Sequence, residues 1–192
     1  TALPEAPDLA IIATPADTVP GIVAALGAQG TRGAVIITAG FNIGQGQLGL
    51  ERRQQLLDAA KPHTLRIVGP NCVGIVLPRE GVNGSFSHIQ ALPGDLAFVT
   101  QSGAMVTAML DWATPRGIGF SHVVSLGDMA DVDFGDMLDY LAVDPSTRAV
   151  LLYAEAITDA EAGVWGDYQP VSFHEFYKVL AQNGGQFLSD DR

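Results

Sequence analysis

The sequence predicts an α/β protein built from two doubly wound parallel sheets, and three observations carry that expectation. Short apolar runs alternate with segments of helical period. The alternation lapses over residues 77–95 and then starts again. Hydrophobic residues make up 47% of the chain and charged residues 16%, enough apolar side chain to fill a core. Strands covered on both faces read as continuous apolar runs, and strand–helix–strand repeats return parallel.

Leu9-Ala10-Ile11-Ile12-Ala13 is the first such run. Asp17 then stands where a helix cap belongs, ahead of Val19, Ile22, Val23 and Leu26, and Pro20 falls in the first turn, where a missing N–H costs little. Gly27 and Gly30 are expected to end that helix. Ala34-Val35-Ile36-Ile37 is the second strand, followed by the turn Thr38-Ala39-Gly40-Phe41 and a helix from about Gly49 to Ala60. Arg66-Ile67-Val68 is the third strand and enters Gly69-Pro70-Asn71-Cys72. Residues 77–95, with Pro78, Gly81, Gly84, Pro93 and Gly94, read as a connection, and the domain boundary is expected there.

The pattern resumes at Leu96-Ala97-Phe98-Val99, and Thr100-Gln101-Ser102-Gly103 turns the chain into a helix with Met105, Ala108, Met109 and Trp112 on one face. Gly119 to Val124 is the next strand. Asp133 caps a helix whose Phe134, Met137, Leu138 and Leu141 recur at i, i+3, i+4 and i+7. Ala149 to Ala154 is a further strand. After Ala160 the texture changes, with Trp165, Phe173, Phe176 and Tyr177 and no buried strand; Val171 to Leu180 reads as a short helix capped by Ser172.

A net charge of −11 argues against nucleic acid and anionic membranes as partners. An anionic ligand would have to be held by local donors such as backbone N–H groups and helix N-termini. The single cysteine, Cys72, allows no internal disulfide, which fits a reducing cytoplasm. There is no basic-then-apolar leader and no apolar run of about 18 residues, so a soluble cytoplasmic protein is expected.

Open parallel sheets bind ligands beyond the carboxyl ends of their strands, so the loops after the strands are the places to look. At Thr100-Gln101-Ser102-Gly103-Ala104 the N–H groups opening a helix and the Ser102 hydroxyl would converge on a spot suited to phosphate. The same serine reads equally well as a helix cap. Gly69 to Gly74 is a stiff loop in which Asn71 can bond locally or to a ligand, while a lone cysteine such as Cys72 is more often a small buried apolar residue than a reactive group. Glu155, at the end of the last strand, could orient an imidazole or merely be a solvated acid. Gly127-Asp128-Met129-Ala130-Asp131-Val132-Asp133 has acidic spacing like a metal loop but lacks the EF-hand glycine and closing glutamate, and reads as loop plus helix cap. His63, His88, His122 and His174 have no metal-ligand spacing, so no metal is expected; neither a P-loop nor a Gly-x-Ser-x-Gly elbow occurs.

Several of these stretches, in this order, resemble the NDP-forming acyl-CoA synthetases. Ala13-Thr14-Pro15-Ala16 and Ile37-Thr38-Ala39-Gly40-Phe41 are similar to the later half of that family's Rossmann-like CoA-binding domain, and Gly69-Pro70-Asn71-Cys72-Val73-Gly74 to its Gly-Pro-Asn-Cys-x-Gly signature. Phe98 to Ala104, Ser125 to Asp133 and Leu151 to Glu155 resemble its flavodoxin-like, succinyl-CoA-ligase-like domain. The likeness runs over about residues 8–159 and implies a partial CoA-binding domain at 1–92, a ligase-like domain at 93–160 and an unassigned tail at 161–192. It implies that acyl-CoA and phosphate give acyl phosphate and free coenzyme A, the phosphoryl group then passing to a histidine and on to ADP or GDP, with Mg, on an ATP-grasp domain. By motif, Thr14, Pro15, Thr38, Ala39, Gly40 and Asn71 would line the CoA site, with Cys72 near the thiol end of CoA. Ser102 and Gly103 would hold phosphate, and Glu155 would orient the phosphohistidine.

The sequence departs from the family in three ways. The first strand and glycine-rich loop of the CoA-binding domain would lie before residue 1, so the first sheet is expected to be truncated. Its open edge would favour pairing with a second chain, as in a homodimer. No Ser-His-Thr-Gly-like loop follows the strand of Glu155, and His174 does not match that context. No ATP-grasp domain is present, so the chain is expected to be inactive alone and to need an ATP-grasp domain or subunit as partner. The same module also occurs in multidomain protein lysine acetyltransferases, so a non-catalytic CoA- or acyl-CoA-sensing module is an alternative, and a structural or interaction remnant is another.

Overall fold

The structure, a computed structural model, describes residues 5–155. The expected tail, including the helix at Val171–Leu180 and His174, lies outside the described residues. Described residues up to Tyr153 pack as one compact unit.

The elements run β1 (Leu9–Ile12), α1 (Val19–Gln29), β2 (Gly33–Ile36), α2 (Gly46–Ala60), β3 (Arg66–Val68), β4 (Gly74–Leu77), β5 (Val82–Ser85), β6 (Pro93–Thr100), α3 (Gly103–Ala113), β7 (Phe120–Ser125), α4 (Phe134–Val143) and β8 (Ala149–Tyr153). Strands β1, β2 and β3 form a three-stranded parallel sheet in that order. Residues on one face of it, Ile12, Ala34, Ile36 and Ile67, meet Val19, Val23 and Leu26 of α1 and Leu56 and Ala60 of α2 in a single core. Each fully buried Val, Leu or Ile contributes on the order of 1.5–3 kcal/mol, which is what holds two helices of modest propensity in place.

The second sheet has the order β5-β4-β7-β6-β8. Strand β6 lies between β7 and β8, parallel to both. Ala97 and Val99 of β6 pack with Met137 and Leu141 of α4, while α3 packs against β6 and β7. The far side of this sheet differs from the fully parallel arrangement expected. Residues 77–95 are more than a connection, because β4 and β5 form a hairpin that adds to β7 antiparallel. Strand β5, Val82-Asn83-Gly84-Ser85, carries no apolar run by which it could be recognised, and the Gly81 N–H closing on the Pro78 carbonyl at 3.4 Å makes the turn between the two strands. That hairpin lies on the N-terminal side of the boundary expected at residue 92, yet it completes the second sheet.

Three helix details also differ. Asp17 does not cap α1; it sits in a single 3-10 turn, and its carboxylate accepts from Arg52 Nε at 2.7 Å. Gly27 lies inside α1, where a side chain would strike the His63 ring, and the left-handed Gly30 (φ 101°) ends the helix. The buried stripe of α3 is Val106, Met109, Leu110 and Ala113, so Ala108 faces solvent. Asp133 does cap α4, in a reciprocal box with Asp136.

Candidate functional site

The loops at the carboxyl ends of β1, β2 and β3 are tied to one another by short bonds. Thr38 Oγ1 donates to the Thr14 carbonyl at 2.6 Å, and the Asn71 N–H donates to the Thr38 carbonyl at 3.0 Å. Thr18 Oγ1 reaches both Thr14 Oγ1 (2.9 Å) and the Pro15 carbonyl (2.7 Å). Thus Thr14, Pro15, Thr38 and Asn71, singled out separately in the sequence, form one hydrogen-bonded rim. Gly40 adopts φ 109° beside Ala16 and Arg52, a conformation in which a Cβ is strained. Asn71 itself is left-handed (φ 58°), which asparagine tolerates better than most residues, and its side chain is exposed.

Cys72 shares the loop, but its side chain does not share the rim. The thiol is buried and donates to the Ile36 carbonyl at 3.3 Å. Burial pushes it up to about 12, so it stays protonated at neutral pH.

The turn after β6 lies against this loop. A Cβ on Gly103 would stand 2.6 Å from Val73 Cγ2, so a larger residue at the start of α3 would force the Val73 side chain to shift. Val73 donates its N–H to Ser125 Oγ at the end of β7, at 3.1 Å. Ser102 occupies the cap position of α3, yet its hydroxyl makes no capping bond. Thr100 instead shapes the turn, its Oγ1 accepting from the Ser102 N–H at 3.0 Å and donating to the Ser102 carbonyl at 3.2 Å. The capping explanation for Ser102 therefore loses its basis, and the hydroxyl is left available beside the opening N–H groups of an eleven-residue helix.

A third loop, after β7, is bonded to both: the Leu126 N–H donates to the Thr100 carbonyl at 2.7 Å, and the rest of the loop lies on Gly69–Gly74. Asp128 and Ala130 donate N–H groups to the Pro70 and Gly69 carbonyls, each at 2.9 Å. The Asp128 carboxylate accepts from Asn71 Nδ2 (3.1 Å) on one oxygen and Asn42 Nδ2 (3.0 Å) on the other. Arg53 of α2 donates to the Asp128 and Met129 carbonyls at 3.0 and 2.8 Å. Asp131 receives the Ile67 N–H at 2.7 Å and pairs with Arg66, which also reaches Asp136. The bond from Asp131 is the main reason the Arg66 guanidinium is held even more firmly charged than usual.

The sequence draws no attention to Asn42 or Arg53, and it presents Arg66 and Asp128 only as parts of a strand and of an acidic loop. Their partners are 57 to 86 residues away, and no local pattern announces such a pairing. Glu155 is exposed, two residues beyond β8 and outside the unit that holds the loops. No three His, Cys, Asp or Glu side chains among the described residues form a group that could hold a metal ion.

Residues 1–78 match the model of a CoA binding domain, and residues 93–164 match that of a succinyl-CoA ligase like flavodoxin domain. The ADP-forming acetate–CoA ligase I of Archaeoglobus fulgidus is 42% identical over 82% of this chain and 23% of that protein. The alpha subunit of the ADP-forming acetate–CoA ligase I of Pyrococcus furiosus is 39% identical over 82% of this chain and 34% of its own length. An acetyl-coenzyme A synthetase of Ca. Korarchaeum cryptofilum, solved in complex with phosphate and ADP, superposes with a TM-score of 0.76 at 34% identity, over 82% of this chain and 33% of that one. The chain therefore spans about a quarter to a third of the length of these relatives.

Proposed function

Because this chain carries the CoA-binding and succinyl-CoA-ligase-like flavodoxin domains of the NDP-forming acyl-CoA synthetases, we propose that it handles coenzyme A and phosphate within such an enzyme. The whole enzyme would interconvert acyl-CoA, phosphate and NDP with a carboxylic acid, CoA and NTP. Thr14, Pro15, Thr38, Ala39, Gly40 and Asn71 line the CoA site. Cys72 contributes its backbone to that loop, its thiol being committed to the interior. Ser102 and Gly103 hold phosphate, which attacks the thioester carbonyl. The C–S bond breaks, CoA leaves as thiolate and takes a proton, and acyl phosphate remains. Glu155 keeps the role the resemblance gives it, orienting the phosphohistidine of the complete enzyme. Nucleotide and Mg would come with an ATP-grasp partner, and the setting is the cytoplasm.

The observation that carries this reading is the contact between the two ligand loops. Gly103 packs on Val73, and Val73 is bonded to Ser125, so a thioester over Asn71 and a phosphate at Ser102 would be neighbours. Reactants held together in this way gain the effective concentration that a two-substrate displacement needs. The alternative of a sensing module in an acetyltransferase draws no support from these relatives, which are acid–CoA ligases by name.

Titration of the chain with CoA and with phosphate tests the proposal. Ser102→Ala should weaken phosphate binding by about tenfold, the worth of one hydrogen bond to a charged group, and leave CoA affinity within about twofold. Equal phosphate affinity in mutant and wild type would defeat the assignment of Ser102.

A further inference from the structure

The geometry around Asp128 points to a positioning residue for the CoA site. We infer that Asp128 sets the polarity of the Asn71 amide, so that Asn71 meets the ligand with its carbonyl oxygen and not with its NH2 group. The inference rests on the reading of the Gly69–Gly74 loop as part of the CoA site.

The reasoning starts from hydrogen-bond inventory. An ionised carboxylate only accepts, so an amide facing it must turn its NH2 end inward. Asn71 and Asn42 both do so, each on a different oxygen of Asp128. For Asn42 the other end is also used, since its Oδ1 accepts from the Gly44 N–H at 3.0 Å. For Asn71 the other end accepts no hydrogen bond from the described residues, and the side chain is exposed at the rim. The Asn71 oxygen is therefore the end offered outward, an acceptor suited to a hydrogen-bond donor of the ligand.

Asp128 is itself firmly fixed. Its N–H bonds to Pro70, its carbonyl to Arg53, and Gly127 before it is left-handed (φ 55°), with no room for a Cβ against the Pro70 and Asn71 carbonyls. A carboxylate held from both sides presents its two oxygens in fixed directions. An amide in its place could not satisfy both asparagines, because its NH2 would confront one of theirs. Asn42 is pinned by Gly44, so Asn71 would have to turn over and present NH2 to the ligand.

The test is calorimetric titration with CoA of the wild-type chain, Asp128→Asn, Asn71→Gly and the double variant. Glycine is chosen at 71 because it keeps the left-handed backbone without strain, and asparagine at 128 because it leaves the backbone bonds and side-chain volume in place. Asp128→Asn should weaken CoA by about tenfold, as should Asn71→Gly, the cost of one lost hydrogen bond at a rigid site. The double variant should bind no more weakly than Asn71→Gly, because Asp128 acts only through Asn71. Phosphate affinity should stay within about twofold of wild type throughout.

Full CoA affinity in Asp128→Asn together with a loss in Asn71→Gly would overturn the inference and leave the site standing. So would a double variant whose losses simply multiply, which is what a general structural role predicts. No effect of Asn71→Gly, or no binding by the wild-type chain, would remove the site and the inference together.

Discussion

Cys72 and Ser102 show how one residue type can be read correctly in kind and still wait on its surroundings for a role. A lone cysteine reads more often as a small buried apolar residue than as a reactive group, and the thiol does lie beneath the loop, with its pKa raised to about 12 by burial. It should therefore resist a thiol reagent such as DTNB at pH 8 in the folded chain and react fully once urea unfolds it; rapid labelling of the native protein would contradict the buried geometry. For Ser102 the sequence leaves cap and ligand site equally open; in the structure the hydroxyl makes no capping bond, while Thr100 Oγ1 accepts the Ser102 N–H. The rim residues Thr14, Pro15, Thr38 and Asn71 were legible because each follows a recognisable strand. Asn42, Arg53 and Asp128 were not, because their roles exist only once two distant loops meet.

At the scale of elements, the parallel strands and the four main helices were legible because each carries its own period or cap. Asp133 is the clearest case: its carboxylate accepts the Asp136 N–H at 3.0 Å and Asp136 returns the bond at 3.3 Å. Asp133→Ala should cost about 1 kcal/mol, seen as a lower urea midpoint with an unchanged slope. A change below about 0.3 kcal/mol would mean that α4 is held by packing alone. The hairpin β4–β5 was not legible, since Val82-Asn83-Gly84-Ser85 of β5 has no apolar run and the stretch around it is rich in glycine and proline. The α3 stripe was displaced because apolar residues crowd that helix, and only the sheet decides which of them it covers. Asp17 was misplaced for a different reason: a carboxylate two residues before a helix start resembles the capping pattern, but Thr18 holds the cap position and Arg52 on α2 offers Asp17 a charged partner that the local sequence does not reveal.

The whole molecule adds constraints that no element carries by itself. Beside β7 a polar cluster joins α4 to the strand: Asp144 accepts from Ser146 Oγ and Thr147 Oγ1, each at 2.6 Å, and stands 3.6 Å from His122 Nδ1, whose ring also meets Tyr140. The bonds from Ser146 and Thr147, with a smaller contribution from His122, hold the Asp144 carboxyl down at about 2. An unfolded aspartate titrates near 3.9. The folded value is the lower one, so Asp144 adds stability that is fully present above about pH 4 and disappears as the pH falls toward 2. Asp144→Asn should accordingly lower the Tm at pH 6, and the gap to wild type should close by about pH 2. A gap that persists unchanged in acid would assign the loss to packing. Two cores and two sheets could be inferred from the alternation of runs. The clasp between them, from Arg53, Arg66, Asp128 and Asp131, could not, because charges on a strand and on a helix look like solvated surface until the fold pairs them.

Gly69–Gly74 is at once the last turn of one sheet and the entry into the next, with Val68 and Ile75 at its two ends both packed against the second core. For gene shuffling this is poor ground for a crossover. A breakpoint inside it would join a turn from one parent to Ser125, Gly127 and Gly103 from another, and every one of those partners is fitted at atomic range. Chimaeras that inherit residues 66–133 from a single parent should be the ones that survive, whatever is exchanged on either side.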